Sequence, residues 1–138
     1  MKIVQCSLLL LLLILTPYSV AQAETQIINQ TTHPSLVERA FLRSLGTSVI
    51  LDVMSSHGDK QQYYGPRIEK VIRDDTNDMY DISLRVIGFE GPHNPPYTLI
   101  KMTIRIPGND FSSYTVLDYT HNVISSNEAK KLLKFAPD

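Results

Sequence analysis

Met79-Tyr80-Asp81-Ile82-Ser83-Leu84-Arg85-Val86-Ile87-Gly88-Phe89 is the stretch that decides the fold class. Tyr80, Ile82, Leu84 and Val86 alternate with Asp81, Ser83 and Arg85. A strand sends successive side chains to opposite faces, so a period of two predicts a half-buried strand. Tyr97 to Ile106 repeats the pattern, with Ile100, Met102, Ile104 and Ile106 against Lys101, Thr103 and Arg105. A shorter strand near Arg67 to Arg73 places Ile68 and Ile72 on one face, and Tyr114 to His121 is a fourth of weaker alternation. Asp74-Asp75-Thr76-Asn77-Asp78 and Pro107-Gly108-Asn109-Asp110 are turns, because short polar side chains there bond their own backbone.

Upstream of the strands the period lengthens. Phe41, Leu42, Leu45, Val49 and Val53 recur at helical spacing. Ser35 precedes them as a cap, with Glu38 as the reciprocal partner of a capping box. Gly46-Thr47-Ser48 interrupts the pattern. Either one helix runs to about Ser56 with a weak point, or a helix stops at Gly46 and a second starts at Thr47. His57-Gly58-Asp59 ends it in both cases. Residues 24–34 are polar and read as a flexible leader. Ser126-Asn127-Glu128-Ala129 with Leu132, Leu133 and Phe135 reads as a short C-terminal helix or a tail over 123–138. Helices followed by a run of strands predict one α+β domain over 35–122. One or two N-terminal helices pack on an antiparallel sheet of about four strands. The polar alternate positions leave the other sheet face wet, or open to a partner.

The first 23 residues read as an export signal. Lys2 supplies the positive charge, Leu8 to Leu15 is an apolar run of seven leucines and Ile14, and Ala21-Gln22-Ala23 has the small-x-small pattern of a cleavage site. Cleavage after Ala23 leaves 115 residues beginning at Glu24. The alternative is an uncleaved anchor, for which the apolar run is shorter than the roughly 20 residues a spanning helix needs. The expected location is therefore extracytoplasmic, with no stable membrane insertion after cleavage. Cys6 precedes the apolar run and leaves with it, so the mature chain expects no disulfide, thiolate nucleophile or lipid-bearing cysteine. Over all 138 residues the formal charge is −1, and nucleic-acid partners usually require a basic excess. Asn29-Gln30-Thr31 fits a glycosylation sequon, which matters only in a eukaryotic secretory pathway.

No phosphate-binding glycine loop, nucleophile elbow or zinc-protease motif occurs in the sequence. The acidic turn fails as a calcium loop, because Met79 and Arg85 stand where glycine and glutamate are required. His33, His57, His93 and His121 match no local ligand spacing, so no metal and no cofactor are expected. The unusual segment is Phe89-Glu90-Gly91-Pro92-His93-Asn94-Pro95-Pro96-Tyr97, which joins the two best strands. Its three prolines each fix φ and stiffen the connection. Glu90, His93, Asn94 and Tyr97 on that corner are candidate binding residues, and Glu90 with His93 the candidate acid–base pair. The competing reading is a stiff structural corner. Tyr63-Tyr64-Gly65-Pro66, at the junction of helix and strand, reads as a core-edge aromatic pair or as a stacking surface for a ligand.

Tyr63-Tyr64-Gly65 and Gly88-Phe89-Glu90-Gly91-Pro92-His93-Asn94-Pro95-Pro96-Tyr97 together resemble a family of small exported bacterial proteins, the domain of unknown function 3888. The family pattern in the second motif is similar to T-F-E-G-A-H-N-P-P-Y-G. Here Gly88 replaces its threonine, Pro92 its alanine and Thr98 its final glycine. The resemblance spans about Leu42 to Asn122. It implies a bacterial exported protein with this layout and carries no reaction. The reading that follows is a non-catalytic binding or interaction module at the cell envelope, taking a protein or small ligand. The alternative is a small secreted enzyme using Glu90 and His93. Homodimerisation through the sheet is a further expectation.

Overall fold

The computed structural model describes residues 23–92, 94–109 and 112–137. Apart from Ala23, the expected signal segment lies outside these residues. Five strands form one antiparallel meander in sequence order: β1 (Glu24–Ile27), β2 (Gln62–Asp74), β3 (Met79–Glu90), β4 (Asn94–Ile106) and β5 (Thr115–Ile124). Among the described residues three α-helices accompany them: α1 (Leu36–Leu45), α2 (Leu51–Ser56) and α3 (Ser126–Leu133). The α+β architecture, the antiparallel sheet and the C-terminal helix agree with the sequence reading. No helix among the described residues is long and apolar enough to cross a membrane.

The core follows from strand parity. Ile82, Leu84 and Val86 of β3 share a face with Ile100, Met102 and Ile104 of β4, because Ile82 opposes Ile104, Leu84 opposes Met102 and Val86 opposes Ile100. Leu42, Leu45, Ile50, Val53 and Met54 pack on this face. Each such side chain contributes about 1.5–3 kcal/mol by leaving water, so this layer dominates the stability. The opposite parity is also used. Ile87 and Phe89 are buried, and Ala129 of α3 is buried with them. The second sheet face is thus covered at one end. At the other end it carries cross-strand polar pairs, including a bidentate Arg105–Asp81 pair at 2.7 and 2.8 Å and Lys101 on Glu69 at 3.1 Å.

The helical stretch is one rod with a weak point. Gly46–Ile50 forms a π-helical turn between α1 and α2. The Tyr63 hydroxyl donates to the Gly46 carbonyl at 3.0 Å. A Cβ at Gly46 would lie 2.9 Å from that hydroxyl, so the small residue and the tyrosine determine each other. Ser35 caps α1 as expected, accepting from the Glu38 amide at 3.1 Å. The Glu38 carboxylate does not complete the expected capping box. It accepts instead from Arg67 Nε and from the Ile68 amide, both at 3.2 Å, because a buried guanidinium is the stronger donor.

Three expectations are revised. The leader is in part a strand: β1 pairs with β2 from Glu24 opposite Arg73 to Ile27 opposite Lys70. All four of its side chains are exposed, so no apolar alternation marks it. β2 is longer than the predicted segment, and two bulges hide its period. Tyr64 opposes Ile87 but Arg67 opposes Arg85, so Gly65 and Pro66 share one partner position. Finally, the proline-rich segment is a continuation of the hairpin rather than a long corner. Phe89 opposes Tyr97 and Glu90 opposes Asn94, and the Pro95–Pro96 bond is cis.

Candidate functional site

The two motifs singled out in the sequence meet at one end of the sheet. Tyr63 opposes Gly88 and Tyr64 opposes Ile87, one and two positions along β3 from the Phe89–Tyr97 pair. Strand parity then separates the tyrosines. Tyr64 faces the α3 side, with its ring 5.1 Å from Phe89 and 6.4 Å from Tyr97, both in edge-on geometry. Burial, together with the neighbouring Tyr97 phenol, pushes Tyr64 above the usual tyrosine range. Tyr63 faces α1. Burial raises its phenol too, against an opposing pull from the Arg43 guanidinium.

A cleft of 1160 Å³ opens beside these residues. One wall is α1, with Leu36, Arg39, Ala40 and Arg43. Its floor is Tyr63, Tyr64, Gly65 and Pro66, and Leu133, Ala136 and Pro137 close the far side. Gly65 makes the floor possible. It sits at φ +61, in the left-handed region that favours glycine, and a Cβ there would overlap the Leu133 side chain. The Gly65-Pro66 bulge therefore redirects β2 and lets the C-terminal segment close down on it.

The C-terminal segment is held from below by two arginines. Arg67 is fully buried and donates to the carbonyls of Phe135 at 2.6 Å, Thr32 at 3.0 Å and Asn29 at 3.1 Å. Arg85 donates to the Leu132 carbonyl at 2.9 Å. Carbonyls near the end of α3 have no partner within the helix, so guanidinium donors satisfy them. Arg67 and Arg85 oppose each other directly in β2 and β3. Like charges so placed repel, and burial lowers the Arg85 pKa most, with Glu69 opposing and Arg67 adding. Carboxylates and carbonyls from four segments offset that repulsion.

Glu90 is exposed on the hairpin and does not line the cleft. His93 lies outside the described residues, as does the Asn94 side chain, so the proposed acid–base pair has no described geometry. Of the sequence candidates, Tyr63 and Tyr64 reach the cleft, while Tyr97 of β4 meets the Tyr64 ring across β3. Arg39 and Arg43 were not singled out by the sequence reading, although their spacing of four on a helix places them on one face.

A second group also escaped that reading, which found no local ligand spacing around His57 and His121. Asp59 is buried just after α2. It accepts from the Tyr119 hydroxyl at 2.5 Å and from His121 Nδ1 at 2.8 Å. The His57 ring stacks on Tyr119 at 4.2 Å, and its Nδ1 donates to the Val53 carbonyl at 2.8 Å. No serine, threonine or cysteine among the described residues bonds His121, and no group of three or more metal-ligating side chains forms there. This cluster works as a latch between the end of α2 and the edge strand β5. Tyr114, the residue before β5, makes a similar bond to Asp52 of α2.

Both latches have an alkaline signature. Burial, with the hydrogen bond to Asp59 and its charge, moves Tyr119 well above the usual tyrosine pKa. The bond to Asp52 is the largest cause of the shift of Tyr114 to about 12. The folded phenols keep their protons where unfolded ones, near 10.0, lose them. This contribution is present below pH 10 and is lost as pH climbs from there toward about 12. Urea midpoints measured across that window should fall steeply for the native chain and less steeply for Tyr114→Phe combined with Tyr119→Phe.

Comparison with known proteins gives no match for this chain to a family model, to a curated protein or to a solved structure.

Proposed function

We infer that the chain is an exported, non-catalytic binding module whose ligand sits in the cleft between α1 and the Tyr63–Pro66 segment. The cleft itself carries this reading. Its 1160 Å³ meets or exceeds the range of ordinary ligand sites, and its lining is mainly apolar with a few polar groups. Its lining includes no histidine or carboxylate, so no acid–base pair converges there among the described residues. The signal-like residues 1–23 and the resemblance to an exported bacterial family support the extracytoplasmic part of the proposal.

The neutral dye Nile red tests the binding reading without assuming a charged ligand. Its fluorescence should rise in the presence of the full chain and stay low with Ala40→Trp, which fills the cleft from α1. Failure of the dye to bind the native chain would overturn the reading. Fractionation of the host culture tests export, with a chain beginning at Glu24 as the expected extracytoplasmic species.

A further inference from the structure

We propose that the cleft takes a single-chain amphiphile with an oxyanionic head, a carboxylate or a phosphate, which the two arginines of α1 recognise. The proposal rests on the binding reading above and adds the class of ligand to it.

Two observations carry it together. First, Arg39 and Arg43 both line the cleft, one helical turn apart on α1. Side chains so spaced are neighbours, roughly 5–6 Å apart at Cβ, so two guanidiniums can bracket one head group. Neither arginine forms an ion pair or side-chain hydrogen bond among the described residues, and no described carboxylate lines the cleft. The four other arginines, Arg67, Arg73, Arg85 and Arg105, all have carboxylate partners. Planar guanidinium donors match carboxylate and phosphate oxygens bidentately.

Second, the space beyond those charges is apolar. Ala40, Leu133, Ala136 and Pro137 line it together with the Tyr63 side chain. A small polar anion would leave that surface wet. An alkyl chain would fill it and gain about 0.8 kcal/mol for each methylene buried, equivalent to about fourfold in affinity. A cationic head would meet two like charges instead. A bilayer surface is the less fitting source of the oxyanion, because the whole chain carries a net charge of −1.

Isothermal calorimetry on the full chain separates the possibilities, using ligands below their micelle concentrations. Dodecanoate and dodecyl phosphate should bind, and dodecyltrimethylammonium should bind at least about tenfold more weakly. Affinity should rise by up to about fourfold per methylene from octanoate to dodecanoate. Arg39→Gln with Arg43→Gln should close the gap between the anionic and cationic heads while keeping the chain-length dependence. The comparison of heads on the native chain needs no variant, so a folding defect in the double substitution leaves the test intact. Equal binding of both heads overturns the oxyanion proposal and keeps the cleft as a site. Absence of binding by every amphiphile and by Nile red overturns both readings. Flotation with phosphatidylglycerol vesicles, without binding of monomeric dodecanoate, overturns the proposal in favour of a membrane surface.

Discussion

Arg67→Met should lower stability by about 3–5 kcal/mol, the largest effect expected of any single substitution outside the apolar core. The guanidinium is buried and bonded to Glu38 and to three carbonyls drawn from the N-terminal segment and the C-terminal tail. Methionine keeps much of the volume and removes every donor. The Glu38 side chain, only 9% exposed, is then left with no cation beside it. An uncompensated buried charge costs more than the pair itself contributes. Combining Glu38→Gln with Arg67→Met should therefore cost clearly less than the sum of the two single changes. Urea denaturation of the four proteins measures this. Additive losses would show that Arg67 acts through its carbonyl bonds alone. A loss below about 1 kcal/mol would show that Arg67 does not hold the N- and C-terminal segments together.

Gly65→Ala should cost roughly 2–5 kcal/mol, and the loss has two separable parts. An alanine at φ +61 carries the steric penalty of the left-handed region, about 1–2 kcal/mol. Its methyl also overlaps the Leu133 side chain and lies 3.2 Å from Ala136 Cβ, an overpacking cost of about 1–3 kcal/mol. Leu133→Ala relieves the second part and leaves the first. The double variant should be more stable than the sum of the single losses predicts, yet still less stable than Leu133→Ala alone. Gly65 also shapes the cleft floor, so Gly65→Ala should weaken Nile red binding even where the chain remains folded.

Much of this fold was legible because β3 and β4 keep strict alternation and bury one face. β1 was not legible, since its four side chains all point to water and only backbone pairing defines it. β2 was half legible: the shift at Gly65-Pro66 and the second between Ile68 and Lys70 break the period of two wherever it would have been counted. The prolines after Gly91 suggested a stiff loop. Pairing of Phe89 with Tyr97 and Glu90 with Asn94 instead keeps the chain in the hairpin almost to its tip.

The candidate site divides in the same way. Tyr63 and Tyr64 were found because an aromatic pair before Gly-Pro is conspicuous. Arg39 and Arg43 carried a readable signal in their spacing on one helical face. The far wall of the cleft did not, because Leu133 and Ala136 approach Gly65 from about 70 residues further along the chain. The Asp59 latch is equally remote in sequence, its partners lying 60 and 62 residues away. Such clusters arise from strand order, which no local pattern encodes.

The central claim is that ligand occupies the cleft under α1 rather than the proline-rich hairpin. Amide NMR of the isotopically labelled full chain, titrated with dodecanoate and separately with dodecyltrimethylammonium, tests it most directly. The account predicts shifts concentrated in Arg39, Arg43, Gly46, Tyr63 to Gly65 and Leu133 to Ala136. Shifts confined to Glu90 through Tyr97, with the cleft amides unmoved, would contradict it.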